Sequence, residues 1–374
     1  MTTQTAPSTV TITPNEAYGP YYGGPSHARG EDQASRLRAM VDALHGDASQ
    51  AQPKVQPKPH SKPDTGFYAP AAKPAARPVP PPAQPQAPVR HCPVIAITSG
   101  KGGVGKTSTC VNLAIALAQS RFRASLLDAD LGLANADVMC GLTPTTRLDA
   151  VVQLKDDGNP TPRRRLSQIA IDAPGGFRLV PGSVGIRKMA NLPPAQRQAI
   201  FNALSEVEAE SDVVLVDTGA GLSDAVTSFA AAADLTLVVA TPEPTSIADA
   251  YAMIKTIAQI RAAIAPKSGF RTAVIINQAV SPEEGKAVHG RIAATCKRFL
   301  GIEPPLLGVI SHDLAVPISV RARKPVLLME PSARCSKDLR VLSESLTKLL
   351  NIQPPPPPER KKRGLFGWIR GVRS

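Results

Sequence analysis

At 374 residues the chain is long enough for one large domain or two small ones, and 38 prolines against eight phenylalanines and one tryptophan imply that part of it lies outside a packed core. Five cysteines without a C-x-x-C pair argue against a disulfide framework and a zinc ribbon, and neither a signal-peptide pattern nor an 18-residue apolar run occurs, so a reduced, cytoplasmic, non-spanning protein is expected. The formal net charge of +13 is compatible with nucleic acid or anionic lipid, and its distribution matters more than its sum.

Residues 1–50 read as a disordered tail with one short island, Glu31–Leu44 (EDQASRLRAMVDAL). There Ala34, Leu37, Val41 and Leu44 recur at helical spacing. A helix this short is marginal alone in water, so it is either nascent structure or folds against a partner. Residues 51–91 form a proline-rich linker; twelve of the forty residues from Ala51 to Arg90 are proline. A semi-rigid, polyproline-type spacer follows from that composition, tethering the island at a distance from the body.

The body spans residues 92–352. An apolar strand, 94–99, runs into a glycine-rich turn, and a helical pattern, 106–119, leaves it. Gly100, Gly105, Lys106 and Thr107 satisfy G-x-x-x-x-G-K-[ST], with Lys101, Gly102, Gly103 and Val104 inside the loop and Ser108 after it. Glycines let backbone N–H groups converge on phosphate oxygens, and the helix N-terminus adds partial positive charge. Lys106 is expected at the β/γ-phosphates of a nucleoside triphosphate and the Thr107 hydroxyl at Mg²⁺. A second strand, 124–128, ends in Asp128 and Asp130, and VVLVD ends in Asp217; strand ends of open α/β sheets are where ligands bind. Asp217 has the position of a second acidic metal-site residue, followed by the flexible turn Thr218, Gly219, Ala220, Gly221.

Further apolar runs at 177–180, 212–216, 235–240, 272–276 and 306–310 alternate with helical patterns at 194–208, 246–264, 283–299 and 335–350. Strands apolar throughout, alternating with helices, imply an α/β fold: a doubly wound, mostly parallel sheet with helices on both faces. Asp156–Arg165 (DDGNPTPRRR) reads as a surface loop. Residues 353–374 begin with a proline run and continue as a basic segment. Leu365, Trp368, Ile369 and Val372 fall on one helical face with Phe366 beside them, and Lys361, Lys362 and Arg363 supply charge. That pattern suits an interfacial membrane anchor, where each basic residue contributes about 1 kcal/mol near anionic lipid. A solvated basic tail and a nucleic-acid tail are the alternatives.

KGGVGKT (101–107) resembles the deviant Walker A loop of the MinD/ParA ATPases. The resemblance implies a P-loop NTPase that uses ATP and Mg²⁺, with Lys101 reaching across an ATP-bound homodimer to the partner's phosphates. DADLGLANAD (128–137) is similar to the MinD-type switch I, implying Asp130 as the residue that orients the attacking water, Asp128 near Mg²⁺ and Asn135 in support. DTGAG (217–221) resembles switch II, and Asn277 and Asp313 fall where the family reads adenine.

Within that family the chain resembles the flagellar-number regulators of the FlhG/FleN branch in three places. These are DQASRLR (Asp32, Gln33, Ala34, Leu37 and Arg38 among them), the stretch TPEPTSIADAYAMIK (241–255) and the basic tail. The resemblance implies an N-terminal helix that stimulates an FlhF-type GTPase related to the signal-recognition-particle GTPases, with Gln33 offered near the partner's catalytic water. It also implies a reversible seat on the inner face of the cell membrane, and suggests flagellar C-ring proteins or a flagellar transcription regulator as further partners. A MinD-type division-site ATPase and a ParA-type DNA-partitioning ATPase share the chemistry and remain alternatives. The Trp-bearing tail does not favour DNA as a partner.

Overall fold

The computed structural model describes residues 92–131, 133–154, 160–162, 164–183, 194–264 and 271–356; the N-terminal island, the proline-rich linker and the basic tail lie outside the described residues. Strand β1 (Val94–Ser99) leads through the glycine loop into α1 (Lys106–Gln119), and β2 (Ala124–Ala129) is followed by a single turn, α2 (Ala136–Met139). Next come a ribbon of β3 (Val152–Leu154) and β4 (Pro160–Pro162), then α3 (Leu166–Ile169), β5 (Ile171–Asp172), β6 (Arg178–Val180) and α4 (Pro194–Glu210). The second half continues with β7 (Val213–Ala220), α5 (Asp224–Ala232), β8 (Leu235–Ala240), α6 (Pro244–Ile264), β9 (Thr272–Ala279), α7 (Pro282–Leu300) and β10 (Leu306–Ser311). Helices α8 (Ala315–Arg321), α9 (Val326–Met329) and α10 (Arg334–Leu350) complete it.

Eight strands form one sheet in the order β10-β9-β8-β1-β7-β2-β6-β5, parallel throughout except where β5 meets β6. The order reverses around β1: the chain goes from β1 to β2 on one side, returns to β7 between them, and crosses to β8 on the other. Such a switch point opens a crevice at the carboxyl ends of the strands.

Strand alternation divides the core into two layers. Val94, Ala96, Leu127 and Val216 face one layer, packed by Ile200 and Leu204 of α4, Phe229 of α5, Met253 and Ile257 of α6 and Ile292 of α7. Ile95, Ile97, Leu126 and Leu215 face the other, with Val111, Leu113 and Leu117 of α1 and Leu339, Leu342 and Leu346 of α10. The central strands β1, β2 and β8 are buried along their whole length, which is why they carry apolar or small residues at every position but Asp128 of β2.

Three differences from the sequence reading have physical causes. The segment read as a surface loop at 156–165 contributes β4, which pairs antiparallel with β3; two prolines are tolerated because a two-stranded ribbon has free edges. Helix α5 was not anticipated: it is nine residues long, too short for a helical period to repeat clearly. Strands β7 and β9 run past the residues where their apolar patterns stop, because backbone pairing continues through Asp217↔Asp128, Thr218↔Ala129 and Ala279↔Ser311.

Candidate functional site

The loop between β1 and α1 is built by backbone constraints. Gly103 (φ 80°) and Gly105 (φ 86°) occupy the left-handed region, where a Cβ is strained. A Cβ on Gly105 would also lie 2.3 Å from Asn277 Nδ2, and one on Gly100 would lie 2.2 Å from the Asp249 carbonyl oxygen. Asn277 Nδ2 donates to the Val104 carbonyl at 2.8 Å and Gln278 Nε2 to that of Gly103 at 3.3 Å. Two amides from the end of β9 therefore pin two loop carbonyls.

Helix α1, which the loop opens, has no side-chain cap and no acidic residue in its first turn. Helices α5 and α7 are instead capped by Ser223 and Ser281. An uncapped N-terminus leaves N–H groups and the positive end of the helix dipole for an anion.

Register brings the two strand-end carboxylates together. Asp128 of β2 is the direct partner of Asp217 of β7, and the alternation that sends Leu126 and Leu215 toward α1 sends these two the same way. Both are buried. Asp128 is fixed by main chain: Oδ1 accepts from the Asp130 N–H at 3.2 Å, and Oδ2 accepts from Asn135 and Ala136 at 3.0 Å each. Burial, then the neighbouring Asp217, push its carboxyl up to about 7, against those three hydrogen bonds. Asp217 is pushed up to about 6, chiefly by burial, with the Thr107 hydroxyl and Lys106 opposing. Its Oδ1 accepts from the Cys110 thiol at 3.3 Å, while Oδ2 is buried without a hydrogen-bond partner. Burial and the Asp217 charge hold that thiol well above its usual range, so it remains a protonated donor.

The loop's two lysines sit differently. Lys106 is buried among these groups. The Lys101 side chain is 39% exposed and turned toward the start of α6, where Nζ meets Glu243 Oε2 at 2.5 Å and Thr245 Oγ1 at 3.1 Å. Asp130 is half-buried, raised by burial with Lys106 opposing, and lies against Gly219. Thr218 is turned away from the cleft, its hydroxyl bonded to the Ile97 carbonyl at 3.1 Å.

A cavity of about 1460 Å³ opens over the loop. Gly102, Lys106, Thr107 and Ser108 line one side, Asp130 and Gly219 another, and Val316, Val320 and Leu339 form an apolar wall beyond Asn277 and Asp313. Both proposed adenine-side residues line it, and both are already bonded within the chain. Asn277 Oδ1 accepts from the Gln278 N–H at 2.9 Å; Asp313 accepts from the N–H groups of Ala315 at 2.9 Å and Cys335 at 3.3 Å, which hold its carboxyl below the usual range. Asp128 and Asp217 sit behind the lining.

Thr107, Asp128 and Asp217 offer hard oxygen donors, and Asp217 Oδ2 is a buried acceptor without a hydrogen-bond partner. That set fits Mg²⁺, which binds one or two carboxylates and completes its shell with water and phosphate oxygens. A dication there would lower both raised carboxyl pKa values. The sequence reading missed Cys110, Gln278, Glu243 and Thr245. The position of Cys110 one turn after Thr107, on a helix facing the strand-end carboxylates, was the available signal for the first. Glu243 and Thr245 lie in the 241–255 stretch and Gln278 follows Asn277, but their contacts with the loop cross long sequence separations that no local pattern states.

Comparison with known proteins agrees with this fold. The CbiA family, the CobQ/CobB/MinD/ParA nucleotide binding domain, matches residues 95–326. The antiactivator FleN of Pseudomonas aeruginosa is 40% identical over 253 residues, covering 68% of this chain and 85% of that protein. The flagellum site-determining protein YlxH of Helicobacter pylori is 32% identical over 257 residues, covering 68% and 82%. Among solved structures, the septum site-determining protein MinD of Pyrococcus horikoshii OT3, complexed with Mg-ADP, superposes with a TM-score of 0.56 at 22% identity, over 69% of this chain and 97% of that one.

Proposed function

The chain belongs to the CobQ/CobB/MinD/ParA family of nucleotide-binding ATPases, in its FlhG/FleN branch, and from that premise we propose an ATP-driven dimeric switch that sets flagellar number and placement. ATP hydrolysis of the MinD/ParA type is its chemistry. In this reading the loop N–H groups, Lys106 and Ser108 hold the phosphates, and Asn277 and Asp313 border the adenine. Thr107, Asp128 and Asp217 would hold Mg²⁺, which neutralises charge on the β- and γ-oxygens. Asp130, against Gly219, orients the attacking water, and Lys101 completes the site of the partner subunit.

One observation carries the dimer. Lys106 is buried within its own site, whereas Lys101, from the same loop, is at the surface in an exposed ion pair. Such a pair contributes at most about 1 kcal/mol and is readily exchanged for a triphosphate.

The ends of the chain supply the output. Residues 353–374 act as a membrane-targeting segment that binds weakly as one copy and firmly as two, so ATP-dependent pairing places the protein on anionic lipid. Residues 31–44 address an FlhF-type GTPase, presented beyond the 51–91 linker from the ATPase domain at 92–352. The relatives' names, an antiactivator and a flagellum site-determining protein, favour the flagellar role over division or DNA partitioning.

The deciding experiment uses a Glu31–Leu44 peptide on the cognate GTPase: GTP turnover should rise, and Gln33→Ala should reduce the gain. Absence of stimulation refutes the GTPase partnership. Sedimentation with anionic vesicles should require ATP and residues 359–374; binding that survives their deletion refutes the anchor.

A further inference from the structure

The two carboxylates behind the cavity are held by different means. Asp128 receives three backbone N–H groups, distributed over both oxygens, so its orientation is fixed by the fold of β2 and α2. Asp217 receives no backbone N–H of this kind. Its Oδ1 takes the Cys110 thiol, the Thr107 hydroxyl lies close by, and Oδ2 has no partner. If Thr107 is given over to a metal, Cys110 is the donor that remains.

Cys110 is placed for that task by helix geometry. It follows Thr107 by three positions and therefore shares its face of α1, directed at the strand ends. Cysteine also resolves a conflict at this point. The side chain is fully buried in the apolar layer with Val111, Leu113 and Leu215, where it packs as a small hydrophobe. It still carries one weak donor, directed at one carboxylate oxygen. A buried polar atom left unpaired, as Asp217 Oδ2 is, costs free energy and is retained where a further ligand satisfies it.

We infer that Cys110 is a positioning residue: its thiol holds Asp217 Oδ1 and so keeps Oδ2 free and oriented for the shell of a divalent cation. The inference rests on the Mg²⁺-ATPase reading and adds a residue to it. Cys110 does not line the cavity and acts through Asp217. Loss of an outer-shell donor of this kind lowers metal affinity by about 10- to 100-fold.

The test measures binding of a fluorescent ADP analogue to the full chain, with Mg²⁺ titrated and with EDTA in its place. In Cys110→Ala and in Cys110→Val, which fills the thiol's space without a donor, the Mg²⁺ concentration for half-maximal effect should rise about ten-fold. Affinity in EDTA should stay within about two-fold of the parent, as expected when only an outer-shell contact to the metal is lost. Cys110→Ser restores a donor and should recover the parent's Mg²⁺ dependence. Parental Mg²⁺ dependence in the Ala and Val variants overturns the inference. So does failure of both to fold while the Ser variant folds and binds Mg²⁺ differently from the parent, because the role is then structural. A parent protein whose nucleotide affinity ignores Mg²⁺ overturns the reading beneath it instead.

Discussion

The two lysines of the glycine loop are close in sequence and opposite in setting. Lys106 starts a helix whose N-terminus has no cap, faces buried carboxylates, and is itself buried. Lys101 lies at the rim, its ammonium held by the exposed Glu243 carboxylate just before α6 and by the Thr245 hydroxyl. A chain that served nucleotide alone would complete its site with one of them. The difference teaches that one lysine is built into the fold of its own site and the other is not, and on the proposed reading a second copy would use the latter.

The largest effect should come from the inward end. Lys106→Ala should weaken ATP binding by about 100-fold or more, because it removes the fixed charge from the phosphate cradle; fluorescent-nucleotide titration reads it. An equal loss of binding from a change at Lys101 would erase the contrast. Gly105→Ala comes next. It forces a left-handed Cβ toward Asn277 Nδ2, costing about 1–3 kcal/mol. Melting temperature and nucleotide affinity should fall together, and a variant unaffected in both would show that the loop is not constrained by β9.

The inward end also has a pH signature. Asp128 and Asp217 titrate at about 7 and about 6 in the fold, above the ordinary carboxylate value near 4. Between those values the native chain holds more protons than the unfolded one, so their contribution to stability decreases as pH rises from about 4 to 7. Melting in EDTA should show Asp217→Asn gaining stability over the parent toward pH 7; a constant difference across the window would contradict the assignment. The smallest effect belongs to the outward end. Glu243→Gln removes a partner worth at most about 1 kcal/mol, so nucleotide affinity of the monomer should not change and ATP-dependent pairing should become slightly easier. Light scattering at graded protein concentration would detect the shift.

What the sequence revealed follows the range of the interactions. The loop, Asp128, Asp130 and Asp217 were legible because the phosphate motif has fixed spacing and each acid terminates an apolar run. The sheet was legible because β1, β2 and β8 are buried on both faces and so are mostly apolar, with small polar residues and one carboxylate, Asp128, among them. Helix α5 was hidden by its length, nine residues, over which a helical period hardly repeats. The strand register that pairs Asp128 with Asp217, and with it the role of Cys110, depends on which strands become neighbours. Chain order does not state that. Glu243 is 142 residues from Lys101, and no local pattern joins them.

The central claim is that Lys101 acts in the partner's site. Lys101→Ala should bind the fluorescent ADP analogue within about three-fold of the parent, since an exposed side chain adds little to its own site. The same variant should stay monomeric in saturating ATP by light scattering and hydrolyse no more than a background amount. A Lys101→Ala protein that pairs with ATP and hydrolyses it at the parent's rate would contradict the account.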